Sequence, residues 1–452
     1  MKTHQVILFT TSLFITLFYG EEMGLNFGIL GIVYALLTLY QTPEKNRTPT
    51  FLILFVAGVL ASVAYAWYGD SASFMAVFTT LFLLAFKSKN KDLKSIVVIP
   101  LFAVNFFTFI YRFFKFEEWL PKRNASETVQ KIISVFVIPA ILILGFFGVY
   151  SLGSAHFSGF FTDYKFDFDF WQFFVLSALG FFISFNFLNF KIENFLFSWN
   201  HHLKNNFLQE DKTENPTFSF LDIDAERRSG MISLVALNLL LLVFIITFNY
   251  EQFIEIPKSP NQLSAETHER VNAVILSIIM AVLVIMFYFK RNFNFDRKAQ
   301  PMKVLAKLWI FLNVVLVVSA LIKNSEYVFN LGLTYKRLGV YAFLILSIIG
   351  LILTFIKIKK QKTNAFLFNH LIWYFYGTVL AASFINWGNL ATVYNINRGK
   401  GDFNFYKELN FNDAILNEKY PVLMKSSQQA IKVEQEQKKP FLSKIIYYQT
   451  LK

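Results

Sequence analysis

Cysteine is absent from this 452-residue chain. That excludes disulfides, thiol-attached haem, cysteine-ligated iron–sulfur clusters and thiol zinc sites, and it leaves the redox compartment open. Also missing are a Gly-rich phosphate loop, a serine elbow, paired acid/base carboxylates and any nucleic-acid motif. No catalytic, cofactor or metal residue is therefore assigned, no nucleic-acid partner is expected, and an enzyme is the least favoured class. Charge is scarce too: 16% of residues are Asp, Glu, Lys or Arg, and none sits in the middle of a long apolar run. A proton-coupled pump needs a buried group that changes charge, so pumping ranks low.

What is present is apolar. The 55% hydrophobic content and 57 phenylalanines exceed the roughly 45 to 50% apolar usage of soluble domains. Phe-, Ile-, Lys- and Asn-rich usage without cysteine suits an AT-rich genome as readily as a functional choice. Twelve apolar stretches run along the chain, at 4–20, 23–40, 50–68, 71–87, 95–113, 131–151, 169–190, 230–250, 271–289, 304–323, 338–357 and 366–387. About 20 helical residues at about 1.5 Å each cross a hydrocarbon core of about 30 Å. The expected fold is all-α, a polytopic transmembrane helical bundle of about 11 to 12 segments over residues 1–390, with a small, mostly helical polar tail over 391–452. Lys2 followed by the run Val6 to Tyr19 superficially looks like a signal peptide. Glu21 and Glu22 then follow without a small-residue cleavage site, which predicts an uncleaved first helix.

The net charge of +13 lies in short connections beside the apolar stretches, where orientation and anionic headgroups explain it. Lysine and arginine gather around Lys45/Arg47, Lys87 to Lys94, Arg112 to Lys131, Lys191 to Arg228, Lys290 to Lys303 and Lys357 to Lys362. Carboxylates dominate at Glu21/Glu22, Asp70, Asp163 to Asp169 and Glu251 to Glu269. Strict alternation of twelve crossings would put the last two acidic loops on the side of Lys87 to Lys94, against the positive-inside rule. One non-crossing stretch removes the conflict. The best candidate is 95–113, with Pro100 at its start, Asn105 at its middle and an aromatic, charged continuation through Trp119 that suits an interfacial helix. The alternative is a normal crossing with a local violation of the rule. With the break, the N-terminus is cytoplasmic and the C-terminus outside.

Within the stretches, Gly24/Gly28, Gly31/Ala35, Ala57/Ala61 and Gly58/Ser62 stand four apart. Such spacing lets helix backbones approach closely, so the second and third segments should pack on each other or on a second subunit. Pro139 should kink the sixth. Asn186, Asn189, Asn238, Asn313, Ser319, Asn369 and Tyr376 form the polar inventory, and His370 alone titrates near neutral pH inside an apolar run; it reads as a pocket or headgroup residue before a proton carrier. His201 and His202 adjoin, but adjacent histidines diverge on a helix and make a poor metal site. Asp222, Asp224 and Glu226 fit the N-terminus of the eighth helix, with Arg227 and Arg228 facing lipid phosphates. Ser264 should cap a short helix leading into the ninth segment, where His268 and Glu269 either bind a ligand or begin a solvated helix. Lys336 and Arg337 form an exposed cationic pair that meets a headgroup, meets an anionic substrate, or anchors the eleventh helix. Asn412 is a candidate N-cap in the tail. The candidate ligand or headgroup contacts are thus His268, Lys336, Arg337, His370, Asn186 and Asn313.

Leu221-Asp-Ile-Asp-Ala-Glu-Arg227, the His268 segment, Gly332-Leu-Thr-Tyr-Lys-Arg337 and the tail pattern Asn395, Arg398, Asp402, Tyr406, Leu409 and Asp413-Ala414 together resemble a family of bacterial multi-pass membrane proteins with a domain of unknown function, frequent in Bacteroidetes. Members often carry a Pro-Leu pair soon after the tail Asp-Ala, whereas here the proline comes only at Pro421. The resemblance implies a bacterial inner-membrane location and no established activity. Two classes remain: a carrier or lipid-handling protein, and a non-transporting scaffold or envelope regulator acting through its tail. The partners expected are membrane lipids and, for the second class, an unknown protein bound by the tail.

Overall fold

The computed structural model describes residues 3–120, 135, 138–154, 169–209, 220–254 and 260–451. Helices supply its regular structure, and the β contact among the described residues is an isolated bridge between Asn206 and Lys362. Eight of the described helices are long and apolar enough to cross a membrane, and four shorter apolar helices, Thr3–Phe18, Leu25–Gln41, Ser95–Phe107 and Ile138–Phe147, account for the remaining apolar stretches. The chain is an all-α, multi-pass membrane protein. It divides into two compact units: residues 1–92, 98–193 and 436–450 form the first, and residues 93–97, 194–435 and 451–452 the second.

The first unit contains α1 (Thr3–Phe18), α2 (Leu25–Gln41), α3 (Pro49–Tyr68), α4 (Ser71–Lys89), α5 (Val98–Phe107), α6 (Phe109–Phe114), α7 (Phe116–Trp119), α8 (Ile138–Gly153) and α9 (Phe170–Leu188). Local chemistry sets its boundaries. Thr48 caps α3 by accepting from Phe51 N–H at 3.3 Å, with Pro49 in the first turn where no N–H is needed. Gly69, at φ +61°, ends that helix in the left-handed conformation, and Asp70 caps α4 by accepting from Ser73 N–H at 2.9 Å.

Helices α2 and α3 pack together through the small residues, as the four-residue spacing predicts. A Cβ on Gly28 would lie 2.7 Å from Ser62 O and 2.8 Å from Ala66 Cβ, and one on Gly31 would collide with Ser62 Oγ. The approach is close because both surfaces lack side-chain bulk. Helix α9 runs antiparallel to α1. Asp169 N–H donates to Tyr19 Oη at 2.6 Å and Gly20 N–H to Gln172 Oε1 at 3.3 Å.

The fifth apolar stretch is broken into α5, α6 and α7. Ten residues of α5 reach about 15 Å, half the hydrocarbon core. Pro100 lies in its first turn. Asn105 Nδ2 donates to Lys191 O at 2.9 Å while its Oδ1 accepts from Lys191 N–H at 2.8 Å, and Arg112 Nη1 donates to Asn189 O at 2.8 Å. Both α5 and α6 are therefore fastened to the same end of α9. Helix α8 is described from Ile138, and the kink expected at Pro139 falls where the preceding turn lies outside the described residues.

Residues 436–450 return to the opposite end of the unit. Glu22 N–H donates to Ser443 Oγ at 2.8 Å, Ser443 Oγ donates to the Glu21 carboxylate, and Leu25 N–H donates to Lys444 O at 2.9 Å. Lys439 pairs with Glu22 at 2.9 Å and Glu436 at 2.8 Å. Burial opposes the Lys439 charge, but its bonds to the two carboxylates hold its pKa above the ordinary lysine range. Ile445 packs over Gly69, where a Cβ would collide with it. This segment thus straps the two acidic turns together.

The second unit contains α10 (Asn194–His202), α11 (Ile223–Phe253), α12 (Pro260–Tyr288), α13 (Gln300–Leu331), α14 (Tyr335–Lys359), α15 (Asn364–Phe384) and α16 (Trp387–Asn397), followed by short tail helices. Asp222 caps α11 by accepting from Ala225 N–H at 2.6 Å, with Asp224 and Glu226 in the first turn, as expected. Arg227 differs from expectation: it is held by Asp296, at 2.7 Å, and by Asp224, because the 290s connection returns beside the helix start. The Ser264 cap is also corrected. Helix α12 begins at Pro260 and runs through Ser264 without a break, since no glycine or proline interrupts Asn261 to Arg270 and the drop in hydropathy there ends the apolar face without ending the helix.

The tail folds onto the α13–α14 turn. Leu333 N–H donates to Asn395 Oδ1 at 2.6 Å, and Asn395 Nδ2 returns the bond to Leu333 O at 2.9 Å. Gly332 has φ +85°, and a Cβ there would press on Asn395 Oδ1 at 2.7 Å. Asn412 precedes a helix (Asp413–Lys419) without capping it by side chain. Its Nδ2 is spent inward, on Thr392 Oγ1 at 2.6 Å and Tyr406 O at 2.8 Å. Tyr406, Leu416 and Met424 form a small core beneath it.

Candidate functional site

The first unit encloses a cavity of about 270 Å³ among α1, α2, α4, α5 and α9. Phenylalanines make up half of its wall, including Phe78, Phe82, Phe102, Phe106, Phe182 and Phe187. Their rings meet edge to face: Phe82 and Phe102 stand 4.8 Å apart at 88°, and Phe106 and Phe182 5.6 Å apart at 89°. Such pairs prefer tilted geometry because the ring edge is positive and the face negative. Rings locked this way hold the space open without a polar group lining most of it.

Polar chemistry is sparse: the Tyr34 hydroxyl is taken up by Ser184 Oγ at 2.8 Å, and the other polar groups gather at one end. Asn105 and Asn186 line the cavity there, and Arg112 bridges them: its Nη2 donates to Asn105 O at 2.8 Å and to the Asn186 side-chain oxygen. Arg112 is 4% exposed, and its buried Nε has no hydrogen-bond partner among the described residues. Lys89 approaches from α4. Its ammonium donates to Phe190 O at 3.0 Å and lies 4.5 Å from the centre of the Phe190 ring, which is itself a lining residue. Lys115 and Lys191 share one carboxylate, Glu118, at 3.3 Å and 3.7 Å. Neither Lys89 nor Arg112 has a carboxylate within ion-pair distance among the described residues. Both instead satisfy carbonyls at the C-terminal end of α9, where positive charge is favoured.

A second pocket, of about 390 Å³, lies in the second unit between the α13–α14 turn and the tail, lined by Asn324, Tyr327, Tyr335, Lys336, Arg337 and Glu408 among others. It separates the cationic pair. Arg337 Nη1 donates to Leu331 O at 3.2 Å and to Gly332 O, so it holds the turn. Lys336 is exposed and has no ion-pair partner among the described residues.

The remaining sequence candidates are dispersed. Asn186 joins the Phe-lined cavity. Asn313 is fully buried in the second unit and donates to Trp309 O at 2.8 Å in its own helix. His370 binds Phe366 O through Nδ1 at 2.7 Å, which makes that nitrogen the protonated donor, and its ring packs on Phe366 at 4.2 Å. His268 lies on α12, with its side chain outside the described residues. Two residues beside the cavity's polar end were missed, Arg112 and Lys89, and so was a buried cation outside both pockets, Lys357. Lys357 belongs by sequence to a charged connection, yet α14 continues through it and leaves it 0% exposed, donating to Phe289 O at 2.8 Å. For Arg112 the available signal was its place on one helical face with Asn105, seven residues earlier. Among the described residues no three His, Asp or Glu side chains gather as a metal site.

Two of the family motifs, the 332–337 turn and the tail, meet in space. Gly332 and Leu333 meet Asn395, Tyr335 Oη accepts from Asn410 N–H at 3.0 Å, and Arg398 stacks over Phe329 at 5.4 Å. No curated protein and no solved structure matches the chain. A family model does, over residues 28–417, which include the Phe-lined cavity from Leu30 onward, the convergent motifs and most of the tail's small core; the chain belongs to that family, a domain of unknown function, DUF4153.

Proposed function

We propose that the protein handles lipids in a bacterial inner membrane, of the Bacteroidetes type, and that the Phe-lined cavity of its first unit receives an acyl chain. The observation that carries this reading is the pairing of a nearly wholly apolar wall with a polar end built from Asn105, Asn186 and Arg112. An aqueous solute finds few partners along such a wall, whereas an amphiphile matches both parts. Filling the space tests it. Leu81→Trp is expected to abolish most of the rise in unfolding temperature that added phospholipid gives the delipidated wild type; an undiminished rise would count against the reading.

The proposed orientation has the N-terminus in the cytoplasm and the C-terminus outside. Its support is the charge of the two ends of the first unit: Lys89, Arg112, Lys115 and Lys191 gather at one, Glu21, Glu22, Asp70 and Asp169 at the other. The positive-inside rule assigns the basic end to the cytoplasm, and the halted fifth stretch makes the parity agree. In this cysteine-free chain, an impermeant maleimide should label Ser154→Cys and Ser426→Cys in intact spheroplasts and Lys45→Cys only after lysis. The reverse pattern would invert the topology.

A second reading, a scaffold acting through the tail, is favoured by one observation. Val422, Ile431 and Phe441 are large, apolar and exposed outside the membrane segments, where a protein partner would cover them. Val422→Ser with Ile431→Ser, which leaves the 436–450 strap in place, should then abolish partner capture and leave lipid binding unchanged.

A further inference from the structure

Resting on the acyl-chain reading, we propose that the cavity selects anionic phospholipids, with Lys89 and Arg112 as the headgroup-binding cations. A lipid tail gains little by leaving the bilayer for an apolar cavity, because the surrounding chains are as apolar as phenylalanine. Selectivity therefore falls to the polar end. There, two cations are attached to lining residues, Lys89 through Phe190 and Arg112 through Asn105 and Asn186. They converge on consecutive carbonyls, Phe190 at 3.0 Å and Asn189 at 2.8 Å. The nearby Glu118 is already engaged by Lys115 and Lys191; it and Glu193 act on the Arg112 charge only from beyond ion-pair distance, which leaves both cations without a described carboxylate in contact.

Arg112 Nε and the remaining ammonium hydrogens of Lys89 are the donors left for a phosphate oxygen. A zwitterionic lipid offers the same phosphate but also brings an ammonium that the two cations repel. A lipid with a net negative headgroup does not. Basic pockets at the cytoplasmic ends of membrane helices bind such headgroups, and the basic end of this unit is the one assigned to the cytoplasm above. Helix capping alone would also place cations at the α9 C-terminus, but it makes no distinction between headgroups.

Native mass spectrometry of the full chain, released from micelles holding equal phosphatidylglycerol and phosphatidylcholine, tests the proposal. The expected result is phosphatidylglycerol adducts exceeding phosphatidylcholine by about 25-fold, from about fivefold for each of the two cations near the surface. Lys89→Gln, which leaves the Arg112 network in place, should remove about fivefold of that preference, and Lys89→Gln with Arg112→Gln should bring it close to parity. Excess inorganic phosphate should leave the adducts intact. Parity in the wild type, preference surviving in both variants, or displacement by phosphate alone would overturn the headgroup assignment while leaving an acyl-chain site standing. Absence of any phospholipid adduct would overturn both.

Discussion

Gly388→Ala is expected to detach the tail from the α13–α14 turn. A Cβ at position 388 would collide with the Asn410 carbonyl oxygen and stand 2.6 Å from the Tyr335 hydroxyl. The carbonyl belongs to backbone that is itself fixed, since Asn410 N–H donates to Tyr335 Oη at 3.0 Å and Asn386 Nδ2 donates to Phe411 O at 2.9 Å. The nearer of the two atoms is backbone, so moving the Tyr335 side chain does not relieve the clash. Overpacking against yielding neighbours costs about 1 to 3 kcal/mol, and an unyielding backbone puts this site at or above the top of that range. Proteolysis within residues 398–425 should accelerate by at least about tenfold, as a loss of about 1.4 kcal/mol implies. Wild-type cleavage kinetics would mean the tail is not seated on Gly388.

Gly28→Leu should have a comparable effect on the first unit. Its Cβ alone would crowd Ser62 O at 2.7 Å and Ala66 Cβ at 2.8 Å, and the three further carbons of leucine have no space between α2 and α3. The helices would separate and lose their contacts along the whole seam, a cost of about 3 kcal/mol or more. The expected outcome is a large fall in the unfolding temperature of purified protein and a shift to aggregated species on size exclusion. Gly58→Ala is the control. Its Cβ would meet Thr80 Cγ2 at 3.5 Å and Leu81 Cδ2 at 3.7 Å, ordinary van der Waals separations, so that variant should behave like the wild type. Equal loss in both variants would contradict the close-packed seam.

Much of the fold was legible because a membrane imposes a length. Within the described residues the twelve apolar stretches return as helices or parts of helices, and the four-residue spacings Gly24/Gly28, Gly31/Ala35 and Gly58/Ser62 reported a real seam. The polar break at Asn105 reported a real interruption. What hydropathy does not report is where a helix stops once it leaves the apolar zone. Hence α12 begins at Pro260 rather than near Ser264, and α14 runs through Lys357. Lys357 was counted with loop lysines for that reason, although it is fully buried.

The candidate site was less legible. Asn186 was identified as a polar residue in a helix, but its partner Arg112 is 74 residues away, and no local pattern encodes that pairing. The same holds for Asn395 and Leu333, 62 residues apart. Their motifs were recognisable as pieces of a family pattern without revealing that the pieces touch. Lys336 and Arg337 looked like one cationic pair because they are adjacent. In the structure both line the second pocket, but the fork of the Arg337 guanidinium is taken up by the carbonyls of the turn and Lys336 is exposed.

The central claim is that the Phe-lined cavity holds a lipid chain. An electron cryomicroscopy map of the full chain in nanodiscs made with phosphatidylglycerol tests it most directly. The account predicts one elongated density between α4, α5 and α9, running along Phe78, Phe82, Phe102 and Phe182 and ending in a headgroup beside Arg112 and Lys89. A cavity closed by collapsed phenylalanine rings, or filled by ordered water, would contradict it.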